Sequence, residues 1–180
     1  MAILRLVSPV RSPEPVARVL PGVLVQFLDR ASVAVACTRD RDLVPRIHYV
    51  SGWQLDADQK SIWCFIPKEF TPGLQESLDD NRQFALTVEH IGPHETYQFK
   101  GTGVSLRPAT DHDAAVVARC RGRFASALIA LQAKLAGKAA VLERYILDPA
   151  VAFRFAVREI YLQTPGPGAG TLLAKLEEPA

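Results

Sequence analysis

The run Thr96-Tyr-Gln-Phe-Lys-Gly-Thr-Gly-Val-Ser-Leu106 decides the fold. It is long and rich in residues that suit a pleated strand, and Gly101 and Gly103 lie two apart, so both fall on one face. Glycines spaced this way in a strand point to a bend at a barrel corner. Gly101-Thr-Gly103 lacks the third glycine of a dinucleotide-binding turn and sits inside the strand pattern, so its role is structural.

Working outward from this run, Phe84, Leu86 and Val88 alternate as another strand. The stretch Ser61-Ile-Trp-Cys-Phe-Ile66 is apolar on both alternating faces, which predicts a central strand covered on both sides. Between them, Leu74-Gln-Glu-Ser-Leu-Asp-Asp-Asn81 reads as a short helix that Asn81 terminates. Earlier in the chain, Val44 to Val50 is a strand, and Pro45 argues for an edge position or for the strand's opening residues, because proline donates no ladder hydrogen bond. Gly52 to Leu55 continues it. Ala31-Ser-Val-Ala-Val-Ala-Cys-Thr38 alternates Val33, Val35 and Cys37 with smaller residues and predicts a strand with one closely packed face. Leu20, Leu24, Phe27 and Leu28 stand at helical spacing, with Pro21 in the first turn.

On the C-terminal side, Thr110 is placed to cap a helix whose first turn carries Asp111 and Asp113. Helical segments are expected through most of Asp111 to Leu147, interrupted near Gly122 and Gly137. A closing strand starts at Val151 and runs to Gln163. The order has too few crossover helices for a parallel sheet, so the prediction is a mainly β fold, an antiparallel barrel with peripheral helices. A chain of 180 residues is most simply one domain. Residues 1–14 read as an N-terminal arm, 111–147 as a helical insertion and 164–180 as a C-terminal tail.

Composition narrows the function classes. The chain is 48% hydrophobic and 22% charged, typical of a globular protein, and its formal charge of +2 from 21 basic and 19 acidic residues announces no nucleic-acid partner. Cys37, Cys64 and Cys120 are odd in number and widely spaced, which favours reduced thiols over a disulfide framework. No stretch has the length of a membrane span or a secretory signal. The expected location is the cytoplasm.

Several runs occur in an order that resembles the flavin-binding split β-barrels related to pyridoxamine 5'-phosphate oxidase. They are Ser32-Val-Ala-Val-Ala-Cys-Thr-Arg-Asp40, Val44-Pro-Arg-Ile-His48, Ile62-Trp-Cys-Phe-Ile-Pro67, Leu78-Asp-Asp-Asn81, Phe84-Ala-Leu-Thr87 and Tyr97-Gln-Phe-Lys-Gly101, with Tyr161-Leu-Gln-Thr-Pro-Gly-Pro167 near the end. The resemblance implies a six-stranded antiparallel split barrel that forms a homodimer, with FMN at the subunit interface and a small-molecule substrate or electron donor. Carried over residue by residue, it sets Arg46 and Ile47 beside the flavin ring, Lys68 and Thr71 near the phosphate, and Gln98 and Lys100 at the cofactor's flank. A phosphate needs a cation and hydrogen-bond donors, which these residue types provide. The oxidases proper carry a denser basic and hydroxyl cluster where this chain has Pro67-Lys-Glu-Phe-Thr-Pro72, and their substrate-phosphate motif is not matched near Arg154 or Arg158. Vitamin B6 oxidation is therefore not assigned.

The expectation is an FMN-binding oxidoreductase of unassigned substrate. The alternative is a non-catalytic or stress-response module that holds flavin, deazaflavin or haem, with His90 and His94 as the haem-ligand candidates. Asp111-His-Asp113 is too crowded on one helix start to converge on a metal ion, and no metal site is expected. Trp63 reads as core.

Overall fold

The computed structural model describes residues 16–132 and 148–177. The expected N-terminal arm 1–14, residues 133–147 of the helical stretch and residues 178–180 of the tail lie outside the described residues. In chain order the elements are β1 (Val16–Ala17), α1 (Gly22–Arg30), β2 (Val33–Arg39), β3 (Pro45–Tyr49), β4 (Gly52–Leu55), β5 (Ser61–Pro67), a 3-10 turn (Lys68–Phe70), α2 (Leu74–Asn81), β6 (Gln83–His90), β7 (Glu95–Pro108), α3 (Asp111–Gln132), β8 (Pro149–Leu162) and β9 (Leu172–Leu176).

The class is the expected one, mainly β and, apart from the short β1–β9 pair, antiparallel, with peripheral helices, but the described residues form nine strands where six are predicted. The difference has local causes. The stretch from Val44 to Leu55 breaks after Tyr49 into β3, which pairs with β2, and β4, which pairs with β5. The two-residue β1 and the short β9 add a parallel pair at the other end. Strand order runs β1-β9-β8-β7-β6-β2-β3, with β5 on β8 and β4 on β5, so the sheet curls without closing. Pro45 opens the edge strand β3, as its missing donor requires.

Strand β8 organises the barrel. Pro149 to Ala156 pair with β5, Glu159 to Tyr161 pair with β9, and on the opposite side Val151 to Leu162 pair with β7 through two register shifts. The β7–β8 register shifts at Lys100/Gly101 and between Gly103 and Ser105, so the two glycines bend the strand through β-bulges.

The core follows from strand phase. His48, Ala36, Leu86, Phe99 and Ile160 are register partners across five strands and share the inner face, each no more than 1% exposed. Phe84, Phe153 and Phe155 form an aromatic cluster with neighbouring ring centroids 4.5 and 4.9 Å apart. Helix α1 closes one end with Leu24, Phe27 and Leu28, and Phe27 meets Tyr97 edge to face.

Helix α3 runs unbroken through Gly122, contrary to the interruption expected there. The i, i+3, i+4, i+7 stripe Asp113, Val116, Val117, Cys120 is buried and supplies the packing that outweighs one exposed helical glycine. That stripe lies against β4, where a Cβ on Gly52 would stand 3.1 Å from the Val117 Cα, so glycine sets the helix–sheet distance.

Candidate functional site

Strand alternation gives the site its shape. The outer face of the sheet carries two rows of register partners: Tyr49, Val35, Thr87, Gln98 and Tyr161 in one, Ile47, Cys37, Ala85, Lys100 and Glu159 in the other. In the chain alone Val35 is 39% and Ile47 69% exposed. Two β-branched apolar side chains thus face outward while alanines line the core.

At one end of this face, Cys37, Arg39, Gln83, Lys100, Thr102, Arg158 and Glu159 surround a cavity of about 410 Å³. That lies within the roughly 300–1,000 Å³ of small-molecule sites. Three cations converge there. Lys100 sends its Nζ over the Tyr161 ring at 4.4 Å, and Arg39 donates to the Asp40 carbonyl at 3.2 Å. Arg158 reaches the Glu177 carbonyl at 3.3 Å. Burial raises the pKa of Cys37, so its thiol stays protonated near neutrality and is a poor nucleophile.

The expected site residues divide into two groups. Ile47, Gln98 and Lys100 share the outer face, and Gln98 donates from Nε2 to Thr87 Oγ1 at 3.1 Å. Arg46 points the other way from its neighbour Ile47, because adjacent strand residues alternate, and lies at the barrel end beside the β5–α2 loop. Gly73, whose φ is +73°, holds a left-handed conformation that favours glycine, and a Cβ there would stand 2.6 Å from the flexible Arg46 side chain, which would have to shift. Arg46 NH2 pairs loosely with Asp40 at 3.4 Å, and its buried Nε has no hydrogen-bond partner among the described residues. Thr71 donates its hydroxyl to the Lys68 carbonyl at 2.8 Å, and the Lys68 side chain is exposed on the same loop. Of the six, Lys100 alone lines the cavity on the outer face.

His48 shares a face with Arg46 but is a structural residue. Its Nδ1 donates to the Phe70 carbonyl at 2.7 Å, which leaves Nε2 to accept from Thr38 Oγ1 at 2.9 Å. Burial lowers its pKa and keeps it neutral. His90 and His94 do not converge. His94 pairs with Glu89 at 2.9 Å on the outer side, whereas His90 continues the inner-face phase of Leu86 and Val88. Among the described residues no group of three metal-ligating side chains occurs.

At the start of α3, Asp113 accepts two bonds from Arg107, at 2.6 and 3.0 Å, and bonds the Thr110 amide and hydroxyl, while Arg107 stacks on Trp63 at 4.6 Å. Trp63 is partly buried and packs against the core, as expected, with Arg107 over its ring. The Arg107 guanidinium holds the Asp113 carboxyl down to about 2. A depressed carboxyl pKa adds stability above the unfolded value near 3.8 and loses it as pH falls toward 2. Arg107→Ala should therefore destabilise the protein at pH 6, with the difference from the unsubstituted chain shrinking between pH 4 and pH 2 in urea titrations. A pH-independent difference would mean that stacking on Trp63 is the whole contribution.

Sequence reasoning missed Arg39, Arg158 and Cys37 as cavity residues. Their phase on β2 and β8 was readable, but only the β2–β6–β7–β8 register brings them to one place.

No family model matches the chain and no curated protein matches it. Solved structures do. HupZ from Group A Streptococcus is 14% identical, with a TM-score of 0.50 over 84% of this chain and all of that one. An FMN-binding protein from Syntrophomonas wolfei is 10% identical, with a TM-score of 0.43 over 77% and 87%. A Clostridium acetobutylicum protein related to general stress protein 26, of the pyridoxinephosphate oxidase family, is 12% identical, with a TM-score of 0.41 over 77% and 84%. No described helix is long and apolar enough to cross a membrane. Strand order, the bulged long strands and the HupZ likeness agree on one architecture: the chain has the open split-barrel fold that it shares with HupZ.

Proposed function

We propose that this chain is a cytoplasmic, single-domain FMN-binding oxidoreductase that acts as a homodimer, with the flavin between the outer faces of two copies. The observation that carries this reading is the outer face itself: exposed Ile47 and Val35 beside a cavity where Arg39, Lys100 and Arg158 converge. A flat, largely apolar ring suits the first part and a phosphate the second. The donor set fits an anion, since three cations surround one carboxylate, Glu159, which is already engaged by Tyr161 and Lys175. The Arg46 and Lys68 loop stands at the β3 edge and supplies further cations to whatever part of the ligand extends past Ile47.

When bound, the flavin supplies hydride and single-electron chemistry. The chain's residues bind and orient it. Gln98 keeps its Oε1 free as an acceptor while Thr87 fixes the amide, which sets a directed polar group at the edge of the ring site. Cys37, Ile47 and Ala85 exclude water from the surface beneath.

The test is FMN titration of the purified protein, read by visible absorbance, together with native mass. One flavin per chain on a dimer is expected, and Lys100→Ala should weaken binding about tenfold through loss of a charge-assisted contact. A dimer that takes up no flavin would remove the proposal.

A further inference from the structure

Helix α3 carries a glycine that packing does not explain. Glycine weakens a helix interior, yet nothing lies within 4 Å of a Cβ built on Gly122. Unlike Gly52, it gives no neighbour room to approach. It leaves bare the helix surface that lines a cleft of about 450 Å³, between the last residues of α1 and β6 and the middle of α3. Arg30, His90, Arg123 and Ser126 supply the polar groups of this cleft, which shares no lining residue with the cavity on the outer face.

Each of those four side chains can donate a hydrogen bond, and among the described residues no carboxylate lines the cleft. Arg123 is half-buried. It lies over the Trp53 ring at 5.3 Å, donates from Nε to the Ala31 carbonyl at 2.9 Å and from NH2 to Cys120 Sγ at 3.1 Å. These neutral partners fix the guanidinium without balancing its charge, and it has no ion pair among the described residues. A partly desolvated cation of this kind favours an anion beside it. Arg30 uses NH2 alone to hold Glu95, at 2.8 and 2.6 Å, so its other nitrogens are uncommitted among the described residues. Glu95 is the register partner of His90, and its carboxylate is taken by Arg30 and by the Tyr97 hydroxyl at 3.2 Å. The side chains of His90 and Ser126 make no hydrogen bond among the described residues.

Donors from three elements around one carboxylate-free cleft match a tetrahedral oxyanion, whose oxygens accept from several directions at once. We propose that this cleft binds a phosphate group, free or carried on a small molecule, as a site separate from the flavin face.

The probe is inorganic phosphate at constant ionic strength, read by NMR from the His90 ring, which His90→Gln assigns among the chain's four histidines. The readout is local, so phosphate entering the outer-face cavity does not register. A saturable shift is expected, with Arg30→Gln weakening binding about tenfold. Gly122→Ala should raise Tm and keep binding, because its methyl meets nothing. Gly122→Glu should also fold, but its carboxylate enters the cleft and weakens phosphate about tenfold or more. Glycerol 3-phosphate binding tighter than inorganic phosphate identifies an ester as the occupant, and weaker or equal binding identifies free phosphate; either supports the site. The proposal is overturned if the His90 signals do not move, if sodium chloride alone moves them equally, or if Gly122→Glu binds phosphate as tightly as Gly122→Ala.

Discussion

Gly101→Ala is expected to lower stability by about 3 kcal/mol or more, seen as a large drop in the urea midpoint and in Tm. A Cβ at this position would stand 1.9 Å from the Ala156 carbonyl oxygen and 2.8 Å from its carbon. Both are backbone atoms of β8, so no side chain can rotate aside, and relief requires the β7–β8 ladder to move. Gly101 sits at the bulge where that ladder changes register, which makes it the point where the barrel bends. Gly92→Ala is the control: nothing lies within 4 Å of the added carbon, and the change should stay within about 0.5 kcal/mol. Equal stability of the two variants would mean that β7 and β8 do not approach as described.

The second large effect concerns assembly. Ile47→Asp should leave the isolated chain's stability almost unaltered, because the side chain is 69% exposed there. In a dimer closed over the outer face the same substitution buries a carboxylate from each copy against apolar surface. Unpaired buried charge costs several kcal/mol, so a monomer is expected by sedimentation, with FMN affinity lowered about a hundredfold or more. If the variant stays dimeric and keeps flavin, the interface lies elsewhere on the protein.

The alternation in Ala31 to Thr38 was legible, and so was the strand it specifies. Its phase followed from small size rather than hydrophobicity: Ala34 and Ala36 are buried, and Val35 faces out. A rule that turns the larger apolar residue inward would have inverted the strand. The edge position of β3 was legible through Pro45 and the bends of β7 through Gly101 and Gly103, since both residue types restrict the backbone locally. The break after Tyr49 was not, because it depends on β5 drawing Gly52 to Leu55 into a different ladder. For the site, period two already separates Arg46 from Ile47, yet it says nothing about Arg39 or Arg158 joining Lys100. That convergence comes from register between segments far apart in sequence, and local pattern does not carry it.

The position of β8 bears on how the chain emerges from the ribosome. The strand that pairs with β5, β7 and β9 begins at Pro149, after every other long strand has been made. Until it arrives, Ile62 and Cys64 of β5 and Phe99 of β7 lack their partners on β8, and Phe84 lacks the rings of Phe153 and Phe155. The nascent chain therefore carries an unfinished, sticky half-barrel for most of its synthesis, and consolidation is a late, long-range event. Truncation before Leu162 should yield aggregates rather than a smaller folded protein.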